Sequence, residues 1–267
     1  MKKECLKKYT ANEVKLLKQL DTLFNGWKKV AKAPEDGFWF VPDGFYPNYF
    51  SQNPKILYIA RDPYDLYGDY IEKFLPQYLD GRSTNGKSIN SVKFHKMLIQ
   101  VAYGILHECS WNQSADNPSK PWVPCASEIC GDDRKIFEKV SFAFMNLCKW
   151  SHESSNDGTK ADWNAIGEFV EKSVTGGKNY ILEEISLLSP DIIITMNLGP
   201  ELIECFSQGK AKLIDKKDQN CYVYQLETEK GPIALFDPWH FSSLKNEETE
   251  IYNPLVKQID AYWRNKK

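Results

Sequence analysis

The stretch KILYIARDPYD, Lys55 to Asp65, decides how the rest of the chain is read. Ile56-Leu57-Tyr58-Ile59-Ala60 is a short run of apolar and β-branched residues, stopped by Arg61-Asp62-Pro63-Tyr64. Such a run, closed by a turn signal, predicts a central strand of a parallel sheet, buried on both faces. In open α/β sheets ligands bind beyond the carboxyl ends of the strands, so Asp62 falls where chemistry is done. Asp before Pro is equally the signature of a helix N-cap, because Asp accepts from free N–H groups and Pro suits the first helical position. Both meanings of Asp62 stay open on these residues alone.

The same pattern recurs outward from this strand. Val140–Leu147 (VSFAFMNL), Asp191–Met196 (DIIITM), Cys221–Leu226 and Pro232–Phe236 read as further strands. Helical spacing appears at Val14, Leu17, Leu20, Phe24 and Trp27, after a capping box at Thr10–Glu13. It appears again over Ser88–His107, Trp163–Val174, Lys178–Leu188, Glu201–Phe206 and Pro254–Trp263. The stretch from Tyr64 to Gly81 reads as polar and irregular. Residues 109–135 read as an insertion, and residues 1–35 as a helical extension. Alternating strands and helices predict one three-layer α/β domain with a central, mostly parallel sheet of four or five strands.

Composition narrows the function. The chain has 267 residues, 42% hydrophobic and 26% charged, which describes a soluble globular protein with ample core. A net charge of −2 exerts no global pull on nucleic acid, so any basic surface must be local. MKKECLKKYT carries charge but no following apolar run, and no stretch approaches the ~20 apolar residues of a membrane span. Seven cysteines without tight pairing suit a reducing cytoplasm. Between Phe38 and Phe50 seven aromatics crowd among Pro and Gly, as a core-covering loop or a base-stacking surface.

Three strand ends carry chemistry. The first ends in Asp62-Pro63-Tyr64, the second in Asn146, and a late one in Phe236-Asp237-Pro238-Trp239-His240. Parallel strands present their carboxyl ends on one rim, so Asp62, Asn146 and His240 are expected to converge. A carboxylate, an amide and an imidazole suit a reaction that needs an acid–base group, a polar reader and a donor to a developing anion.

Those residues resemble the motifs of uracil-DNA glycosylases. The first motif of that family's main branch is Gly-Gln-Asp-Pro-Tyr-His, matched by Asp62, Pro63 and Tyr64, with FYPNYFSQNPK similar to its proline- and aromatic-rich lead-in. FAFMNLCKW resembles the segment with the uracil-reading Asn, which falls on Asn146. SPDIIITMNLGPELIECF resembles the third strand and the glycine-bearing turn behind it, and DPWHFSSL the closing His-Pro-Ser-Pro-Leu motif, with His240, Ser242 and Leu244. The four pieces stand in order over most of residues 45–260.

The resemblance implies hydrolysis of the N-glycosidic bond of uracil or another damaged base, flipped out of DNA. Asp62 would orient or activate water, and His240 would hydrogen-bond the base oxygen as negative charge builds there. Asn146 would read the polar edge, Tyr64 would exclude the thymine methyl, and Phe74 would stack on the base. Arg61 and Ser242 complete the substrate-binding set. The departures are Ala60, Arg61 and Asp65 in the first motif, Phe241 for Pro in the last, and an acidic loop at 246–250 that would repel phosphates. They raise a second possibility, a non-catalytic descendant that binds a nucleobase, a nucleotide or a protein. Some branches hold an iron–sulfur cluster. Here Cys109, Cys125 and Cys130 share one region, but the N-terminal pair is reduced to Cys5. No metal or cofactor is expected. The expected partners are DNA, single strands included, or a free nucleobase or nucleotide, and no membrane.

Gly81–Ser88 (GRSTNGKS) also fits the P-loop pattern, with Asp237 as a possible metal-holding acid. A P-loop needs a buried strand directly before it. Lys73–Asp80 contains Pro76 and charges at both ends, so a nucleotide hydrolase is a distant third alternative.

Overall fold

The computed structural model describes residues 3–33, 38–63, 66–83, 86–112, 121–151 and 161–264. The strands are β1 (Trp39–Phe40), β2 (Gly44–Phe45), β3 (Ile56–Ala60), β4 (Ala143–Asn146), β5 (Trp150–Ser151), β6 (Val174–Thr175), β7 (Lys178–Asn179), β8 (Ile192–Thr195), β9 (Ala211–Asp215), β10 (Cys221–Leu226) and β11 (Ile233–Pro238). The α-helices are α1 (Lys3–Leu6), α2 (Ala11–Val30), α3 (Tyr70–Leu79), α4 (Lys93–Leu106), α5 (Ala126–Cys130), α6 (Ile136–Lys139), α7 (Trp163–Lys172), α8 (Tyr180–Leu188), α9 (Pro200–Ser207) and α10 (Asn253–Tyr262).

Seven strands form one mixed sheet in the order β2-β4-β3-β8-β11-β10-β9. The central four, β4, β3, β8 and β11, are parallel, and β2, β10 and β9 join antiparallel. The expected four or five mostly parallel strands therefore need correction: three of the six strand pairings are antiparallel. The parallel centre is where the buried runs lie, every residue of β3, β4 and β8 being buried. β9 escapes sequence reading because AKLID is mostly exposed, an edge strand with no apolar alternation.

The chain leaves β3 toward β4 on one side and then crosses back over β3 to β8 on the other. Right-handed crossovers in opposite directions put the two sets of helices on opposite faces of the sheet. One set contains α3 and α4. Tyr70 stacks on Phe144 of β4 at 4.1 Å, and Tyr58 of β3 donates to the Leu98 carbonyl at 3.0 Å. The other contains α2, α7 and α8, which meet where Trp27 packs on Phe169 and Tyr180. β3 and β8 are adjacent yet send their chains to different faces, so their carboxyl ends mark the switch point at which open α/β sheets form their ligand crevice.

Local signals explain several elements. Thr10 Oγ1 accepts from the Glu13 N–H, and Glu13 returns the bond to the Thr10 N–H, the capping box expected for α2. The stretch expected to be irregular before Gly81 contains α3. Asp69 caps it by accepting the Glu72 N–H, and Tyr70, Phe74 and Tyr78 line one face at helical spacing. Pro76 in its interior costs about 3 kcal/mol in isolation; burial of those rings outweighs it. The expected Ser88–His107 helix begins with a short 3-10 turn at Ile89–Ser91 before α4. The segment expected to be an irregular insertion holds α5. The aromatic stretch covers the core, since Phe45, Tyr46 and Tyr49 are fully buried. Among the described residues no helix is long and apolar enough to cross a membrane.

Candidate functional site

Arg61 and Asp62 leave β3 at the crevice. Ala60 pairs with Asn146 across the parallel ladder. The pairing continues past both strands, since the Leu147 N–H donates to the Ala60 carbonyl at 2.9 Å and the Cys148 N–H to the Arg61 carbonyl at 2.8 Å. Asn146 is 1% exposed. Its N–H donates to Asp43 Oδ2 at 2.6 Å, while its side-chain Nδ2 is buried with no hydrogen-bond acceptor. An unmet amide donor inside a protein costs about 1–3 kcal/mol.

Arg61 spans the crevice. Its guanidinium donates to the Asn197 carbonyl in the β8–α9 turn at 3.2 Å and lies 4.5 Å over the ring of Trp163, which is 46% exposed. Its Nε is buried and makes no hydrogen bond. Burial lowers the pKa of Arg61, and Asp62 and Asp237 oppose that shift. Asp237 itself is committed to structure. It accepts from Thr195 Oγ1 at 2.6 Å, the Leu198 N–H at 3.0 Å and the Gly199 N–H at 3.2 Å, and so pins the turn that carries Asn197. Burial raises its carboxyl pKa despite those bonds.

His240 follows β11 on the same rim. Its Nδ1 lies 2.7 Å from Ser242 Oγ and accepts the Ser242 backbone N–H at 3.2 Å. A backbone N–H can only donate, so Nδ1 carries a lone pair and the ring proton sits on Nε2. Burial, helped by Arg61, pulls the pKa of the imidazole down to about 4, which keeps it neutral near pH 7. Its ring stacks on Phe94 of α4 at 5.6 Å, and Phe94 meets Phe144 of β4 edge-on at 6.1 Å. Lys93, next to Phe94, donates to the Ser243 and Lys245 carbonyls at 2.6 Å each and fixes the turn after His240. Leu244 on that turn is fully exposed.

Thus Asp62, Asn146, His240 and Arg61 stand at the carboxyl rim of the parallel strands, with Ser242 beside His240. Tyr64 and Asp65 lie outside the described residues. Phe74 is not on the crevice surface. It is 3% exposed, tilted on Tyr70 at 4.6 Å and on His95 at 4.4 Å, so it presents no open face for a base. Phe241, in place of Pro, is buried edge-on against Tyr58. The acidic run is no free loop. It forms a π-helical turn, Glu247–Tyr252, in which Lys96 pairs with Glu247 at 2.6 Å, Lys245 with Glu250 at 2.9 Å, and Asn112 with Glu248 at 2.6 Å. The residues before Gly81 form α3, so the P-loop pattern lacks its strand. Among the described residues no three His, Cys, Asp or Glu side chains are grouped to hold a metal ion.

Sequence reading missed a buried network beneath the site. Lys149 Nζ lies 2.7 Å from Asp43 Oδ1 and 2.8 Å from Glu184 Oε2, all three side chains fully buried. The ammonium faces the rings of Trp27 at 5.1 Å and Phe24 at 5.5 Å. Burial, reinforced by Asp43, raises the Glu184 carboxyl pKa, while Asp43 and Glu184 together overcome burial and raise that of Lys149. Lys93 was the other omission, and nothing in its sequence context marked it; Leu244, matched to the closing motif, is on the turn that Lys93 fixes. No known family, curated protein or solved structure matches the chain. The fold is that of an α/β protein with polar side chains gathered at the switch point of its sheet.

Proposed function

We propose that the protein is an N-glycosyl hydrolase of the uracil-DNA glycosylase type, acting on uracil or another damaged base extruded from DNA. The observation that carries this is His240, held by Ser242 as a neutral Nε2–H donor on the same rim as Asp62 and the unmet amide of Asn146. In this reaction the C1′–N bond breaks and its electron pair stays on the base. A neutral N–H donor fixed in place suits the oxygen on which that charge gathers. The Asn146 amide donates to a base oxygen, and a base lacking that acceptor leaves the buried donor unmet, which gives selectivity. Asp62 orients water toward C1′ and takes its proton.

Leu244 supports extrusion. An exposed apolar side chain on a turn pinned by Lys93 is the type of wedge that enters a base stack. The pairing of Glu247 and Glu250 with lysines weakens the expected repulsion of phosphates. Single-stranded DNA is therefore the preferred substrate, bound less tightly as salt rises. The test is release of free base from labelled single-stranded oligonucleotides carrying uracil and other common lesions at low salt. Release of an oxo-base by the wild-type protein is expected. No release from any of them would defeat the enzyme and leave a nucleobase-, nucleotide- or protein-binding descendant, assayed by binding of the same oligonucleotides.

A further inference from the structure

We propose that Arg61 is a second electrostatic stabiliser of the departing base, restricting the site to bases that leave as anions and excluding cationic ones. This deepens the glycosylase reading and rests on it. Three features of the crevice support it.

First, Arg61 is a cation with spare capacity. Its one described acceptor is a neutral carbonyl, that of Asn197, and its Nε is buried without a partner. A guanidinium has five N–H donors, so a ligand with acceptor oxygens finds donors already oriented. Second, it is held rigidly between two strands. The Arg61 carbonyl is tied to the Cys148 N–H, the guanidinium to the β8–α9 turn that Asp237 pins, and its plane to Trp163. A donor that needs no reorganisation is the kind that lowers a barrier. Third, its charge reaches His240, whose imidazole it helps hold neutral. The other charges near that rim are already engaged or belong to the chemistry. Asp237 holds backbone N–H groups, Lys93 is bound to two carbonyls, and Asp62, whose charge also acts on Arg61, is the group that the glycosylase reading assigns to the attacking water.

The chemistry follows from charge. As the C1′–N bond breaks, the electron pair passes to the base nitrogen and spreads over the ring oxygens. Water adds to C1′, its proton passes to Asp62, and the base leaves as an anion that later takes up that proton. Arg61 stabilises this anion, and His240, being neutral, is a hydrogen-bond donor rather than an acid. A base such as 7-methylguanine is cationic in the ground state and leaves neutral. A fixed cation disfavours its binding and gives nothing to its departure.

The test compares wild type, Arg61→Met and Arg61→Lys on oligonucleotides carrying uracil, 5-fluorouracil or 7-methylguanine, with thermal unfolding as the check on folding. Fluorine makes the ring a better anionic leaving group, which then needs less help. Arg61→Met is expected to slow uracil release by about 10²-fold, 5-fluorouracil release by clearly less, and to be partly rescued by Arg61→Lys. Wild type should release no 7-methylguanine. Equal loss on uracil and 5-fluorouracil, or release of 7-methylguanine at a rate similar to uracil, would overturn the role of Arg61 alone. No release of any base by wild type would bring down the glycosylase reading and this inference with it.

Discussion

Two groups of buried polar side chains, one at the end of β4 and one three residues beyond it, are handled differently by the protein. At Lys149 the ammonium is closed in by Asp43 and Glu184, with two aromatic rings beyond. At Asn146, which ends a strand on the rim that also carries a neutral imidazole and a guanidinium with an unused N–H, the amide Nδ2 is left without an acceptor. Asp43 joins the two, since one oxygen binds Lys149 and the other the Asn146 N–H. Lys149 and Asp43 satisfy each other and hold a shape, although Glu184, within ion-pair distance of Lys149, keeps carboxylate oxygens without a hydrogen bond; the Asn146 amide nitrogen has no partner of either kind. The contrast separates residues whose loss should cost stability from those whose loss should cost only chemistry.

The largest effect is expected at the closed group. Lys149→Met leaves Asp43 buried with no cation and should destabilise the protein by about 3–5 kcal/mol, as read by chemical denaturation. Unchanged stability would break the contrast.

Next is the acid response. His95 is buried against Tyr78 OH at 2.7 Å, and burial lowers its pKa to about 3. A histidine with a folded pKa below its unfolded value of about 6.5 binds fewer protons when folded. Stability is therefore full above that value and falls as the pH drops toward 3. The loss should reach about 3 kcal/mol by pH 4 for His95. Asp69 acts in the opposite sense, because burial raises its carboxyl to about 7 and favours the folded state as pH falls from 7 to 4. Comparing His95→Gln with wild type across that range isolates the histidine: the variant should show the shallower acid limb, and parallel curves would contradict its burial as a neutral ring.

The smallest of the three in stability, though not in rate, is His240→Ala. It should slow base release by about 10²-fold or more, the loss of one preorganised donor. Its unfolding midpoint should move far less than that of Lys149→Met. A large drop in stability would sharpen the contrast in the wrong direction, making His240 structural.

Much of this was legible in the residues, for physical reasons that differ by element. Ile56–Ala60 and Cys221–Leu226 were read with the bounds that the fold shows, because an apolar run between charged or turn residues has little room to shift. α3 was missed because the stretch up to Gly81 read as polar and irregular, with Pro76 inside it. The Asp69-x-x-Glu72 cap and the rings at 70, 74 and 78 carried the helical signal. β9 gave none, being a mostly exposed edge strand with no apolar alternation. The positions of Asp62, Asn146 and His240 on one rim followed from strand ends alone. Asp43, Lys149 and Glu184 did not, because each charged residue by itself reads as surface, and only the folded chain brings them within hydrogen-bond distance. The tautomer of His240 likewise depends on a backbone N–H two residues away.

The central claim is that Asp62 does chemistry at the crevice, and one measurement tests it most directly. Wild type and Asp62→Asn are incubated with a uracil-bearing single-stranded oligonucleotide at low salt, and free uracil is measured, with denaturation curves for both. The change removes a charge at nearly constant shape. The account predicts uracil release by wild type, a fall of about 10³-fold or more in the variant, and unfolding midpoints that nearly coincide. Equal release by the two proteins, or none by wild type, would contradict it.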